Sequence, residues 1–144
     1  MTRIKKIIVL IIVLLGLAQF IPHEREDVNS DPSRTFAAES ADEVNAILRT
    51  ACFDCHSNET QYPWYADLAP VSFWMDRHIE HAREKLNFSE WTSYPAEDRQ
   101  QLSEKVVKMV GEKQMPLLSY WIVHWDAKIS DEQRQTLIAY FEGI

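Results

Sequence analysis

Glycine is scarce in this sequence, which contains only three among 144 residues, and no segment alternates apolar and polar side chains. Tight turns between strands commonly use glycine, and a half-buried strand shows that alternation. The two absences together argue against a β-sheet. The sequence therefore predicts an all-α fold.

Cysteine is also scarce, because Cys52 and Cys55 are the only two in the chain. No further thiol is available for a disulfide framework or for a Cys-rich zinc site. Whatever chemistry these two residues perform, they perform it as a single pair.

Positive charge is the third deficit, with 15 basic residues against 22 acidic ones. Three of the basic residues and none of the acidic ones lie before position 23, so the remainder carries a formal charge of −10. Phosphate binding needs a basic face, which excludes nucleic acid as a partner. An acidic surface is compatible with docking to a basic patch on a protein partner.

Four segments have the periodicity of amphipathic helices, and each begins with a capping box or a proline. These starts are Ser40 with Glu43, Pro70, Pro95, and Ser130 with Gln133. The first helix leads to Cys52, the second extends to about Leu86, and Gly111 ends the third. The apolar positions are Val44, Ile47, Leu48 and Ala51; Val71, Trp74, Met75 and Ile79; Leu102, Val106, Met109 and Val110; and Leu137, Ile138 and Phe141.

The first 22 residues form a separate unit, in which Arg3, Lys5 and Lys6 precede an apolar run over residues 7–21. A cationic start before a hydrophobic segment is typical of membrane targeting. The run of 15 residues, at about 1.5 Å each, is shorter than a hydrocarbon core of about 30 Å, although flanking lysines can snorkel and extend it.

Two interpretations of this segment stay open. Phe20 and Ile21 continue the apolar run, which favours a retained membrane anchor, whereas the small residues Gly16 and Ala18 fit a signal peptide cleaved after Ala18. In both cases the positive end stays inside, so the rest of the chain is predicted outside the cytoplasm of a bacterial cell.

The chain divides into three predicted parts: the membrane segment 1–22, a polar linker 23–39, and a domain 40–144. The linker is rich in Asp, Glu, Ser and Pro, and Phe36 is its single aromatic residue, so we expect it to be exposed. The last part has the length of one compact domain.

The sequence Cys52-Phe53-Asp54-Cys55-His56 is a C-x-x-C-H motif, which is the attachment signature of a c-type haem. The two thiols are predicted to form thioethers with the haem vinyl groups, and His56 to be the proximal iron ligand. This predicts one covalently attached haem c, and its attachment on the outer side of the membrane agrees with the predicted targeting.

Other chemistries use C-x-x-C as well. A thioredoxin-like site would need a βαβ context, which is not present in the pattern. A zinc site would need a distant fourth ligand, and a plain disulfide is the remaining alternative.

The second axial position has several candidate ligands, and Met115 is preferred. It follows the third helix in a loop that Pro116 stiffens, so its thioether can reach the haem face opposite His56. Met75 and Met109 lie in amphipathic helices, where methionine is usually a core residue. His78 is the main rival, followed by His124, for which a structural hydrogen bond is expected.

For the tryptophans and three basic residues, the sequence supports only general expectations. Most of the five tryptophans are expected in an aromatic core, with one or two near the haem. Arg77, Arg83 and Lys85 are candidates for pairing with haem propionates, although charges on a helix are usually solvated.

Taken together, these residues resemble the haem-binding domain family of bacterial cell-envelope proteins. The resemblance covers roughly residues 40–144 and includes the C-x-x-C-H motif, Tyr62-Pro63-Trp64-Tyr65, His78, Met115-Pro116, Tyr120 and His124. It extends from Ser57 to Thr60, from Pro70 to Ser72, from Leu86 to Trp91, and through Ala127 to the Ser130-Asp131-Glu132 helix start. The resemblance implies haem binding and an envelope location.

The helix before the motif, the Met-Pro loop and the capped last helix are also similar to class I cytochromes c, with a cytochrome c-like helical domain as the expected fold. The long segment that contains Trp64, Trp74 and Trp91 departs from the small cytochromes. The leading functional hypothesis is a membrane-tethered mono-haem cytochrome that carries single electrons between redox partner proteins and is not an enzyme. The alternatives are a haem-based sensor with an open or displaceable distal site and, less favoured, a haem peroxidase.

Overall fold

The computed structural model describes residues 2–22, 25, 30–38 and 41–144, and this part of the chain contains helices and no β-strand. The α-helices are α1 (Arg3–Ala18), α2 (Asp42–Ala51), α3 (Phe53–His56), α4 (Val71–Lys85), α5 (Ala96–Gly111), α6 (Leu118–Trp121) and α7 (Asp131–Phe141). Short 3-10 helices span Phe36–Ala38, Trp64–Asp67, Phe88–Ser93 and Trp125–Ala127. The all-α prediction is confirmed.

The helix starts agree with the sequence signals. α4 and α5 begin directly after Pro70 and Pro95. At α7, the Ser130 hydroxyl accepts a hydrogen bond from the Gln133 backbone N–H (3.1 Å), and the Gln133 side chain accepts one from the Ser130 N–H (2.8 Å). This is the predicted capping box. α2 begins at Asp42, and the predicted capping residue Ser40 lies outside the described residues.

The core lies where α7 packs against α5 and α2, while α3 packs against α4. The predicted apolar faces of α2 and α7 supply much of it, and the 3-10 segment Phe88–Ser93 adds two aromatic side chains. The largest fully buried side chains are Phe36, Leu48, Phe88, Trp91, Leu137 and Phe141.

Phe36 corrects the sequence interpretation of an exposed linker. Its side chain is 0% exposed, and its ring centroid lies 5.0 Å from Trp91 and 5.3 Å from Phe141. Thr35 is also buried, so the prediction of an exposed segment is wrong at these two positions. A single aromatic residue in polar surroundings is buried here because it completes an aromatic cluster. Residues 23, 24, 26–29 and 39 of the predicted linker lie outside the described residues.

The tryptophans also differ from expectation. Trp91 is buried at 1% exposure, whereas Trp64, Trp74 and Trp125 are 81%, 55% and 76% exposed. The prediction that most of them form an aromatic core is therefore wrong. Three large apolar side chains instead lie at the surface.

α1 has no buried residue, and its far end contacts the rest of the chain. The Gln19 side chain donates to the Ala69 carbonyl (3.0 Å), and the Ala69 N–H donates back to Gln19 (3.0 Å). Arg25 then forms ion pairs with Asp67 (2.7 Å) and Asp76 (3.0 Å). Within the part of the chain that the structure describes, no helix combines the length and the apolar character needed to cross a bilayer.

Candidate cofactor site

An apolar cavity of about 460 Å³ lies among α2, α3, α4, α5 and α7. Its volume is within the range of small-molecule and cofactor sites, which is about 300–1,000 Å³. The residues predicted for haem attachment and iron ligation, together with the main rival ligand, all line it: Cys52, Cys55, His56, Met115 and His78. Side chains distant in sequence are thus brought to one cavity by the packing of α4 against α3 and of α5 against α7.

The motif forms a single helical turn directly after α2. Cys52 is the junction residue: its N–H donates to the Leu48 carbonyl (2.8 Å), and its own carbonyl accepts from the N–H groups of Cys55 (3.2 Å) and His56 (2.9 Å). Because residues three and four apart share a helix face, this turn brings the side chains of Cys52, Cys55 and His56 to the same wall of the cavity.

Both cysteines are free thiols. Burial raises the pKa of Cys52 to about 12, and burial together with the nearby Asp54 charge raises the pKa of Cys55 to about 11. Redox-active dithiols need a lowered pKa so that a thiolate is present at neutral pH. A thioredoxin-like dithiol therefore gains no support from the environment of this pair.

His56 has one ring nitrogen fixed by backbone carbonyl groups. Its Nδ1 lies 3.1 Å from the Ala82 oxygen and 3.0 Å from the Leu86 oxygen, both at the end of α4. Carbonyl oxygens only accept hydrogen bonds, so Nδ1 is assigned the proton and Nε2 keeps its lone pair. Burial lowers the pKa of His56, which favours this neutral form. A neutral imidazole with an N–H bound to a carbonyl is the arrangement of a metal-ligating histidine.

Met115 lies in the loop between α5 and α6, and this loop is tied to α7. The Met115 N–H donates to the Met109 carbonyl (3.1 Å), and the Arg134 guanidinium donates to the carbonyl groups of Met115 (3.2 Å) and Val110. Arg134 is largely buried. The loop that contains Met115 is therefore held by hydrogen bonds to α5 and to α7.

The rival histidines have other contacts. His78 lines the cavity, and its ring stacks on Trp74 with centroids 5.0 Å apart. His124 Nε2 lies 2.9 Å from the Tyr65 hydroxyl, in agreement with the structural hydrogen bond expected for it. His124 does not line the main cavity but borders a second one.

Two lysines, Lys85 and Lys105, line the main cavity, and no carboxylate of the described residues does. Arg83, a sequence candidate for pairing with propionates, instead donates to the Ser57 carbonyl (2.8 Å) and to the Thr60 hydroxyl (2.9 Å). It holds the segment that follows the motif.

Tyr120 is a cavity residue for which sequence reasoning proposed no role. Its hydroxyl donates to Asp54 (2.6 Å), and its ring stacks on His124 at 4.4 Å. Burial and the hydrogen bond to Asp54 raise the pKa of Tyr120, so it stays a neutral donor. In the sequence, Tyr120 is marked as one of the residues that carry the family resemblance.

A second, smaller cavity of about 100 Å³ adjoins the main one. Four residues line both cavities: Cys55, His78, Leu117 and Tyr120. Trp74, Val71 and Val123 border its outer side, where they are exposed. It extends from the motif toward the surface that carries the exposed indoles.

Comparison of the sequence with models of known families identifies the family of this chain. The model of the haem-binding domain family matches residues 13–143, and the chain therefore belongs to that family. It is a haem-binding protein. The chain matches no curated protein and no solved structure.

The residues of the main cavity fit a haem group. The cavity is apolar, and three kinds of group line it: two thiols, a thioether and a neutral imidazole whose Nε2 keeps its lone pair. These groups match the donor set of a c-type haem. Among the described residues, no three His, Cys, Asp or Glu side chains converge as a site for a metal ion alone.

Proposed function

We propose that the protein is a mono-haem c-type cytochrome, tethered to the membrane on the periplasmic side of the cell envelope, which carries single electrons between redox partners. The single observation that carries this proposal is the position of His56, whose Nδ1 is held by two carbonyl groups at a cavity that Cys52, Cys55 and Met115 also line. When bound, haem supplies a one-electron Fe(III)/Fe(II) couple.

Each residue of the motif has a part in the proposal. The thiols of Cys52 and Cys55 would hold the haem through two thioether bonds, since addition of an S–H across a vinyl group needs no net oxidant. His56 would bind the iron through Nε2, and the carbonyl groups of Ala82 and Leu86 hold its ring in the orientation that leaves Nε2 available. The apolar walls exclude water and thereby influence the potential.

Met115 is the proposed distal ligand because it comes from a different part of the fold than His56. His78 belongs to α4, the helix whose end holds the His56 ring, whereas Met115 belongs to the α5–α6 loop, a separate element of the cavity lining. The stacking of His78 on Trp74 also occupies that side chain in another contact. A Met/His pair raises the potential and suits electron transfer.

The membrane tether is proposed for α1. Its 16 residues include no acidic side chain and none that is buried, and Lys5 and Lys6 lie near its start. An apolar helix without a buried side chain is suited to lipid surroundings. Cleavage after Ala18 is the competing outcome, and the intact mass of the mature protein decides between them.

Spectroscopy of the protein matured with the haem-attachment machinery tests the electron-carrier proposal. We expect haem to be retained on a denaturing gel and lost when Cys52 and Cys55 are both changed to Ala. The ferric protein should show a thioether-to-iron charge-transfer band that Met115→Ala abolishes. Met109→Ala is the matched control, because Met109 lines the same cavity and should leave the band in place.

A haem-based sensor of small ligands is the second candidate, and the second cavity favours it. A space of about 100 Å³ next to Cys55 and His78 is a route by which a diatomic molecule could approach. High-spin iron that binds carbon monoxide readily in the unmodified protein would overturn the Met115 ligation and favour the sensor.

A further inference from the structure

Four exposed apolar side chains come from residues 64–74, the segment whose Ala69 binds Gln19 at the end of α1, and we call them the indole patch: Trp64, Leu68, Val71 and Trp74. Their exposed fractions are 81%, 45%, 40% and 55%. Exposed apolar surface of this kind marks a contact with a protein or a membrane. The position of the patch relative to α1 favours the membrane as its partner.

The position is fixed by the paired hydrogen bonds between Gln19 and Ala69. The Gln19 side chain both donates to and accepts from the Ala69 backbone, at 3.0 Å each. Ala69 lies between Leu68 and Val71 of the patch, and Gln19 directly follows the last residue of α1. Any bilayer that accommodates α1 must therefore end beside this patch.

Charge near the patch agrees with a lipid partner. Asp67 and Asp76 are the acidic residues that Arg25 binds, at 2.7 Å and 3.0 Å. This pairing compensates the carboxylates that would otherwise repel anionic headgroups. Tryptophan is enriched at membrane interfaces, where its ring sits at the level of the headgroups.

The length of α1 gives a physical reason for such a contact. Its 16 residues span about 24 Å, which is less than a hydrocarbon core of about 30 Å. A short helix draws its flanking residues into the interface or thins the bilayer. Apolar side chains beside the helix end reduce the cost of that approach.

We propose that the indole patch docks on the phospholipid headgroup layer and fixes the orientation of the haem domain relative to the membrane. This inference rests on the proposed tether and adds a second contact to it. Without the patch, the domain would be attached through the end of α1 alone.

The test uses the full-length haem-loaded protein in phosphatidylcholine vesicles, with and without bromine on the acyl chains close to the headgroups. We expect the protein to float with the vesicles, and brominated lipid to quench its tryptophan fluorescence relative to unbrominated lipid. Haem is present in both samples, so the difference between the two lipids is due to the bromine. Trp64→Phe and Trp74→Phe should each reduce the lipid quenching, while Trp91→Phe, which changes a buried ring, should not.

A charge substitution supplies the second comparison. Leu68→Asp should preserve flotation but lower the quenching of the remaining patch tryptophans, because a carboxylate resists transfer into the interface. Ile144→Asp is the matched control, since Ile144 is an equally exposed aliphatic residue outside the patch (46% against 45%).

The outcomes separate this inference from the tether on which it rests. Flotation without lipid quenching of Trp64 and Trp74 would overturn the docking and leave the tether intact. Loss of flotation would overturn both. If sedimentation showed a dimer that Leu68→Asp dissociates, the patch would be the contact with a second copy of the chain, and the lipid assignment would be wrong.

Discussion

The carbonyl oxygen of Leu86 lies 3.0 Å from Nδ1 of His56, immediately after α4 ends at Lys85. The last carbonyl groups of a helix have no partner within it, and they form the negative end of its dipole. At the end of α4, the histidine ring is held by the carbonyl group of Ala82, which also accepts from the Leu86 N–H (3.0 Å), and by the carbonyl group of Leu86 itself. They increase the electron donation expected from Nε2, so α4 both orients the proposed proximal ligand and influences its strength.

Lys105 provides a test of the electrostatics of the cavity. A cation close to the haem favours the reduced iron, so Lys105→Gln should lower the midpoint potential in a redox titration. Lys108→Gln is the matched control, because it removes the same charge from the same helix at a residue outside the cavity lining. We expect its effect to be smaller, and raising the salt concentration should reduce both effects.

Lys85→Gln should lower the potential in the same direction, because Lys85 lines the cavity from α4. Equal shifts for Lys105→Gln and Lys108→Gln would contradict the placement of Lys105 at the haem site.

Phe36 tests the correction to the linker interpretation. Phe36→Ala removes a fully buried ring from the cluster with Trp91 and Phe141, and we expect it to lower the free energy of unfolding by about 3–5 kcal/mol. Trp64→Ala removes a larger but exposed ring, and its effect should stay within about 0.5 kcal/mol. Urea unfolding followed by circular dichroism measures both. A small loss for Phe36→Ala would restore the interpretation of an exposed segment.

The difference between predicted and observed structure follows from the range of the interactions. Helix starts depend on neighbouring residues, so the box of Ser130 and Gln133 and the starts after Pro70 and Pro95 could be read directly from the sequence. Burial of Phe36 depends on residues more than 50 positions away, and no local pattern marks it.

The candidate site divides in the same way. C-x-x-C-H spacing predicts which side chains share a helical turn, and this turn is present at the cavity. The groups that fix His56 are backbone carbonyls, which every residue has, so the sequence could not identify Ala82 or Leu86. The sequence also could not predict that Trp64 and Trp74 are exposed, because an aromatic residue on a helix usually packs in a core.

Asp131 gives a prediction about pH. Its hydrogen bond and ion pair with Lys113 (2.9 Å) lower the pKa of Asp131 in the folded state. A carboxyl group with a lowered folded pKa contributes stability above its unfolded pKa of about 3.9, and loses it as the pH falls through the folded value. The native protein should therefore lose more stability than Asp131→Asn between about pH 5 and pH 3.

The control for that series is Glu132→Gln, which changes the same charge in the same turn of α7 but keeps the pair with Lys113. Urea unfolding at a series of pH values measures the difference. Parallel curves for the native protein and Asp131→Asn would show that the pair does not influence stability.

Arg134 offers a way to loosen the Met115 loop without changing Met115. Its largely buried guanidinium donates to the carbonyl groups of Val110 and Met115, so Arg134→Met leaves two acceptors without this partner. We expect a stability loss of about 1–3 kcal/mol. If Met115 is the distal ligand, its charge-transfer band should weaken and carbon monoxide should bind the ferrous protein faster. Arg134→Lys, which keeps one donor group, should show an intermediate effect.

Arg49→Met separates these spectroscopic changes from general destabilisation. Arg49 forms a surface pair with Glu59 (2.8 Å) and does not line the cavity, so its loss should leave the band and the carbon monoxide kinetics unchanged. A weakened band in Arg134→Met alone would assign Arg134 as a positioning residue for Met115. Equal carbon monoxide kinetics in Arg134→Met and the unmodified protein would instead mean that the loop holds Met115 without this hydrogen bond.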